Sequence, residues 1–313
     1  MSARGSISQQ IEAYLQQRRQ AGLSLRVVGS QLRSFARFAQ RRHHRGSLTL
    51  ELIMAWAQGS ERPGPDTAAA RLEQLRPFTR FCHQLDPASA VAPEKLFGRS
   101  ARRVVPHIYT PQEVRHLIAA AARWPPAGCL RAHSYATLFA LLAATGLRLS
   151  EALTLERRDV DMKQALLHIR EAKFHKSRYV PLHPTTVRAL QRFSQCRDRH
   201  AASAASALFF VADEGRPLSI SSVRYAFNCL RRRLSWRCRG ARPAPRIHDL
   251  RFTFICRRLQ RWYAQGLDVN PLMLSLCTYV GHVNATSTYW YLTATPELMR
   301  HATARFQRYG DAP

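Results

Sequence analysis

Apolar positions recur at helical spacing through the first eighty-five residues. From Ile7, the side chains of Ile11, Tyr14 and Leu15 mark a first helix that ends at Gly22. Leu25, Val28, Leu32, Phe35 and Phe38 mark a second, which runs into Arg41-Arg42-His43-His44-Arg45. Thr49 opens a short third helix through Trp56, and Pro63-Gly64-Pro65 then breaks the chain. Residues 68–85 form a fourth, with Leu72, Leu75, Phe78 and Phe81 on one side and Pro77 as a point of kinking. The pattern predicts a small bundle of about four helices with arginine on its outer faces.

Residues 86–107 change character. They carry Pro87, Pro93, Gly98 and Pro106 together with Arg99, Arg102 and Arg103, the composition of a basic linker. The division expected is a helical domain at 1–98, a linker at 99–107 and a second domain at 108–313. Thr110-Pro111-Gln112-Glu113 restarts order as a capping box with proline at the first helical position. A helix to about Ala122 follows, and then a nearly all-apolar, buried one at 134–144, which Gly146 breaks. The next helix starts at Ser150-Glu151. Residues 166–181 alternate as a hairpin with Lys173 near its tip, and 208–211 read as one further strand. Helices are expected from His183-Pro184 to about Arg197, at 219–236 with a basic amphipathic pattern, from His248, at 271–280 up to Gly281, and from Ala285 onward. The fold class is mainly α with a small antiparallel β-sheet.

The charge narrows the partners. Forty-eight Lys and Arg stand against 20 Asp and Glu, a formal charge of +28. Such a surface fits a polyanion, nucleic acid first and an anionic membrane surface second. Nearly all the positive charge is arginine, and the only lysines are Lys95, Lys163, Lys173 and Lys176. A genome-wide preference for arginine codons accounts for most of that bias, which makes the placing of Lys173 and Lys176 informative. No apolar run reaches the ~18 residues of a spanning helix, and no signal peptide opens the chain. The seven scattered cysteines form no C-x-x-C, so reduced thiols in a cytoplasmic protein are expected, with no metal site. Phosphate-loop, zinc-hydrolase and dinucleotide fingerprints are absent, and no cofactor is called for.

The chemistry gathers between Arg246 and Leu292. His248 and Arg251 are three apart on a helical stretch, so both share a face, while Asp249 points elsewhere and serves as a cap. His282 follows Gly281 just past a helix end, and Tyr289 and Tyr291 lie beyond it. The two tyrosines are about 200° apart around a helix, so only one can face a pocket. Arg148, at the Gly146 turn between two buried helices, projects where an anion would satisfy it; a salt bridge to Glu151 is the alternative. Taken singly, each residue has a structural explanation; the constellation carries the argument. Imidazoles, guanidiniums and a phenol are suitable parts for attacking a phosphodiester without a metal.

These residues resemble the tyrosine recombinases, the phage-integrase and Xer-like enzymes. The matching pieces are A-T-G-L-R-L-S-E (144–151), K-F-H-K-S-R-Y-V-P-L (173–182), H-D-L-R (248–251), V-G-H (280–282) and Tyr291, nine after the histidine. Val280 stands where the family often has leucine, and the loop at 237–246 is unusually arginine-rich. The resemblance implies a helical core-binding (SAM-like) domain and an α+β catalytic domain closing on DNA as a C-shaped clamp. It implies that Arg148 and Arg251 hold the non-bridging oxygens of the scissile phosphate, and that His248 takes part in proton transfer. It further implies that Lys173 protonates the departing 5′ oxygen, His282 hydrogen-bonds the phosphate and Tyr291 is the nucleophile. Double-stranded DNA core sites, a homo-tetramer on DNA, and a partner recombinase or accessory DNA-bending protein are the implied partners. A short helix at 296–308 would either dock on a neighbouring protomer or cap its own domain.

Two rivals remain. A catalytically silent DNA-binding relative would have lost a pocket residue, and none is lost. A type IB topoisomerase uses a similar pocket and would relax arbitrary supercoiled DNA.

Overall fold

In the computed structural model, residues 6–23, 25–59, 65–98, 104–126, 128–172, 176–200 and 206–282 are described, with Arg300 and Thr303. The chain separates into two compact units, Met1–Arg103 and Val104–Pro313.

The first unit is helical. Helix α1 (Ile7–Gln20) starts at Ser6, whose hydroxyl accepts the Gln9 amide while Gln9 returns a bond to the Ser6 amide. Helices α2 (Arg26–Arg41), α3 (Leu50–Gln58, capped by Thr49) and α4 (Pro65–Leu85) complete the bundle. Helix α4 starts three residues earlier than the pattern predicts and continues through Pro77. Leu15, Phe35, Ile53, Leu75 and Phe78 are fully buried at its centre, and Phe35 meets Trp56 and Phe78 edge-on. Residues 86–98 fold back onto the bundle. Ala92 is buried, its amide bonds to Thr79 Oγ1 at 3.0 Å, and Arg76 reaches the carbonyls of Ala92 and Pro93. The stretch is therefore held by Arg76 and Thr79 of α4, which satisfy its backbone groups.

The second unit begins at Val104, so residues 104–107 belong to it. Its helices are α5 (Pro111–Ala122), α6 (Leu130–Thr145), α7 (Leu149–Leu153), α8 (Pro184–Asp198), α9 (Ile220–Leu234), α10 (His248–Ala264) and α11 (Val269–Val280). The Thr110/Glu113 capping box opens α5 as its sequence requires. Helix α6 starts four residues before the predicted point, because the first turn buries Leu130 and Ala132 while Arg131 and His133 disguise it as polar. Three antiparallel strands, β1 (Val160–Asp161), β2 (Leu166–Ala172) and β3 (Lys176–Pro181), lie in that order, with Leu167 opposite Val180. The strand expected at 208–211 is not one. Those residues make only single bridges, Leu208 to Glu156 and Val211 to Pro217, and bury Phe209, Phe210 and Val211. Burial on every side gives the same apolar run whether the backbone forms a ladder or not.

Helix α6 is the axis of the core: Leu138, Phe139, Leu141 and Leu142 are buried within it. It stops at Gly146, in the left-handed region (φ +65°), where a Cβ would stand 2.6 Å from the Phe254 ring of α10. The close contact brings the turn after α6 against the start of α10. A second cluster, including Ile255, Leu259, Met273 and Leu276, binds α10 to α11. No described helix is long and apolar enough to cross a membrane. The expected elements from Ala285 onward and at 296–308 lie outside the described residues, Arg300 and Thr303 apart.

Phe139, stacked with Tyr135 and edge-on to Phe227, has no route to relax into a smaller side chain. Phe139→Ala is expected to cost about 3–5 kcal/mol of unfolding free energy, read as a lower midpoint in urea denaturation.

Candidate active site

Three separated stretches meet at the end of α11. That helix closes on Gly281, in the left-handed region (φ +71°). The His282 amide returns to the Cys277 carbonyl and the Gly281 amide to that of Thr278. This capping leaves the carbonyls of Tyr279, Val280 and Gly281 without a helical donor. Each is taken by an arginine from a different element. Arg178 Nε of β3 donates to Tyr279, Arg251 Nη2 of α10 to Val280, and Arg148 Nη2, just before α7, to Gly281, at 2.7–2.9 Å. Cations at a helix C-terminus also gain from the helix dipole.

Glu151 ties two of these arginines together. Its carboxylate, 6% exposed, accepts Arg148 Nη1 at 2.6 Å and both terminal nitrogens of Arg178 at 2.9 and 3.2 Å. It also accepts the Arg148 amide, fixing the turn that presents Arg148. Burial alone would raise the Glu151 pKa. The hydrogen bonds and charge of Arg178, with the amide and charge of Arg148, hold it below the usual carboxylate range. The salt bridge considered as an alternative for Arg148 thus exists, and the same side chain still reaches Gly281.

Arg251 is 2% exposed and spans from the Val280 carbonyl to that of Gly146, both at 2.7 Å. His248, one turn earlier, stays open to solvent, its ring edge-on to Phe252. The two residues share a helical stretch but sit at different depths. His248 lines a cleft of about 510 Å³ with Arg148, Ser150, Arg224, Asn228 and Arg246. Its pKa is pushed down to about 4 by desolvation among the crowded pocket atoms, then by the charges of Arg251 and Arg246; Asp249 opposes this. The imidazole is therefore neutral at pH 7 and offers a lone pair. Asp249 is buried beneath the turn, accepts the Arg246 amide at 2.9 Å and pairs with its guanidinium at 2.8 Å.

Of the six residues singled out in the sequence, the structure brings Arg148, His248, Arg251 and His282 to this one place. Lys173 and Tyr291 lie outside the described residues, as does Tyr289. Arg178 had not been singled out, although its stretch had. Strand alternation puts it on the face of buried Val180, and an arginine on a buried face wants an anion. Among the described residues no cluster of His, Cys, Asp or Glu could hold a metal ion. The arrangement gathers fixed guanidinium donors and a neutral imidazole around an open cleft, the equipment for binding and polarising a phosphate ester.

The sequence profile of the phage integrase family matches residues 108–297. The chain belongs to the phage integrase family. A putative integrase/recombinase of Sinorhizobium fredii, y4rB, is 37% identical over 304 residues, covering 96% of each chain. Tyrosine recombinase XerC of Chlamydia trachomatis is 28% identical over 236 residues, covering 75% of this chain and 69% of the relative. Among solved structures, the recombinase XerH bound to a palindromic difH substrate superposes with TM-score 0.67 at 16% identity, over 96% of this chain and 85% of that one. The Tn1549 transposon integrase in complex with transposon right-end DNA gives 0.66 at 16% identity, over 97% and 100%. Both structures share the fold of this integrase-family chain.

Removing the charge of Glu151 leaves two arginines without their carboxylate. Glu151→Gln is expected to cost about 3 kcal/mol at pH 7. Because the folded pKa lies below the ordinary value of 4.5, this stability is fully present above that pH and disappears as pH falls through the folded pKa. Urea denaturation at pH 7 and pH 3 should show the wild-type advantage shrinking at the lower pH.

Proposed function

We propose that the protein is a site-specific recombinase that cleaves and rejoins double-stranded DNA through a 3′-phosphotyrosyl intermediate. It would serve the integration, excision or transposition of a mobile element. The observation that carries this reading is that Arg148 and Arg251 both bond to the end of α11, which leads into His282, while Arg148 and His248 line the cleft beside it. Family membership supports it.

The reaction follows from the parts. By the family resemblance Arg148 and Arg251 hold the non-bridging oxygens, where charge grows in the transition state; Arg148 already lines the cleft, whereas Arg251, with its Nη1 and Nη2 on the Gly146 and Val280 carbonyls, has to turn outward to reach them. The Tyr291 hydroxyl attacks phosphorus, and His248, neutral at pH 7, accepts the phenol proton. His282 donates to the phosphate. The bond from phosphorus to the 5′ oxygen breaks, and Lys173 protonates that oxygen. The phosphotyrosine keeps the energy of the broken linkage. A 5′ hydroxyl from another strand can then reverse the step and release Tyr291, with no net hydrolysis.

In this reading both the helical first unit and the second unit contribute to binding a core site. A homo-tetramer holds two sites, and the protein works in the cytoplasm. A net charge of +28 fits backbone-led DNA binding that weakens steeply with salt. A partner recombinase or DNA-bending protein is tested by adding cell extract to the strand-exchange reaction.

The deciding experiment is covalent trapping on nicked DNA from the ends of the protein's own genetic element. Wild type and Tyr289→Phe are expected to form a denaturant-stable adduct, and Tyr291→Phe none. Arg251→Ala should cleave about a hundredfold to a thousandfold more slowly. Tight, salt-sensitive binding without any adduct would turn the reading towards a silent DNA-binding relative. An adduct lost only in Tyr289→Phe would move the nucleophile. The wild-type cleavage rate should hold steady down to about pH 5 and fall near pH 4, as His248 protonates.

A further inference from the structure

The arginine-rich loop between α9 and α10 is pinned to the chain entering the second unit. Arg239 makes most of the attachment. Its amide donates to His107 Nδ1 at 3.2 Å, and its Nη2 donates to the Ile108 carbonyl at 2.9 Å and to Glu113 Oε2. The Ala241 amide bonds to the Val105 carbonyl at 3.0 Å. Between them Gly240 lies so close that a Cβ would stand 2.7 Å from Pro106 C and Val105 O, so only glycine fits without a shift.

His107 is buried, and its hydrogen bonds assign its tautomer. Nδ1 accepts an amide, which leaves the proton on Nε2; that nitrogen lies 3.3 Å from both Glu113 Oε2, its acceptor, and Arg239 Nη2. The same Glu113 oxygen caps α5 through the Thr110 amide. The next aromatic, Tyr109, is buried against His107 and Trp236. Its hydroxyl donates to the Arg246 carbonyl at 3.0 Å, its amide to Thr253 Oγ1, and its carbonyl accepts Arg257. Arg246 in turn is held by Asp249, the neighbour of His248. Hydrogen bonds join Arg239, His107 and Glu113, the His107 ring packs edge-on against Tyr109, and Tyr109 bonds to the turn that carries His248.

We infer that Arg239 is a positioning residue, holding the His248 turn in its place by clamping the loop before it to His107 and Glu113. The inference rests on the recombinase reading only for its catalytic readout. The loop contributes no side chain of its own to the cleft before Arg246. Its abundance of arginine has a use in one member, Arg239, whose half-exposed side chain reaches a buried histidine and a carboxylate. Lysine at this position could meet Glu113 but could not also hold the Ile108 carbonyl with the same planar group.

The test compares Arg239→Ala, Arg239→Lys and Leu190→Ala, the last a buried residue of α8, a helix that packs on α6. All are examined in the full-length chain, well below each melting temperature. Histidine carbon NMR, with the His248 signal assigned by His248→Gln, reads the turn without DNA. Arg239→Ala is expected to raise the His248 midpoint by about one pH unit or more towards the free imidazole value, as the ring leaves the arginines and crowded atoms around it. Leu190→Ala should leave the midpoint in place, and Arg239→Lys should fall between. On nicked DNA, Arg239→Ala should cleave about tenfold to a hundredfold more slowly, with DNA affinity within threefold of wild type. An unmoved His248 midpoint, or one moved equally by Leu190→Ala, would overturn the inference. So would a loss of DNA affinity matching the loss of rate, which would make Arg239 a phosphate contact. A shifted midpoint with no adduct even in wild type would uphold the positioning role and reject the recombinase reading.

Discussion

The end of one helix sets the geometry of the site. Capping by Gly281 and His282 uses up the carbonyls of Cys277 and Thr278 and leaves those of Tyr279, Val280 and the capping Gly281 to other donors. Arginines from β3, α10 and the turn before α7 each satisfy one. Since these elements are 29 to 133 residues from their partners in sequence, the three bonds fix the hairpin, the Gly146 turn and α10 relative to the backbone that leads into His282. Gly281 is required twice. Its φ is positive, and a Cβ there would lie 2.6 Å from Arg178 Nη1.

Concentrating arginine in this way is costly without compensation. Glu151 supplies the compensation with one buried carboxylate that accepts from both Arg148 and Arg178. Asp249 does the same for Arg246 beneath the cleft. The two carboxylates do not cancel the positive field, as the lowered pKa of His248 shows, where nearby guanidiniums add to desolvation. What remains is a rigid excess of positive charge beside an open cleft. Rigidity matters because donors already in place need no reorganisation when charge develops on a bound phosphate.

Much of this was legible along the chain. The helical periods, the Thr110 capping box, the hairpin and the Gly281 stop follow from local chemistry: spacing, hydroxyl caps and glycine's freedom at positive φ. The errors came where burial erased the pattern. The Phe209–Val211 run is apolar because it is enclosed on all sides, not because it belongs to a ladder, and α6 begins earlier because an arginine and a histidine alternate with buried residues in its first turn. Residues 86–98 and 104–107 have a linker's composition yet pack within their units, since Arg76 of α4 and the loop around Arg239, distant in sequence, bond to them.

By itself the sequence determined the fold class and the family resemblance, and it offered Arg148, His248, Arg251 and His282 as candidates, because motif spacing and helical period are local properties. Only the tertiary structure decided how those residues meet. That Arg251 goes inward while His248 stays open, that Arg178 joins Glu151 and that Arg239 clasps His107 all depend on which carbonyls and carboxylates lie unsatisfied across the fold. Such partners are tens to over a hundred residues away, and no period along the chain encodes them.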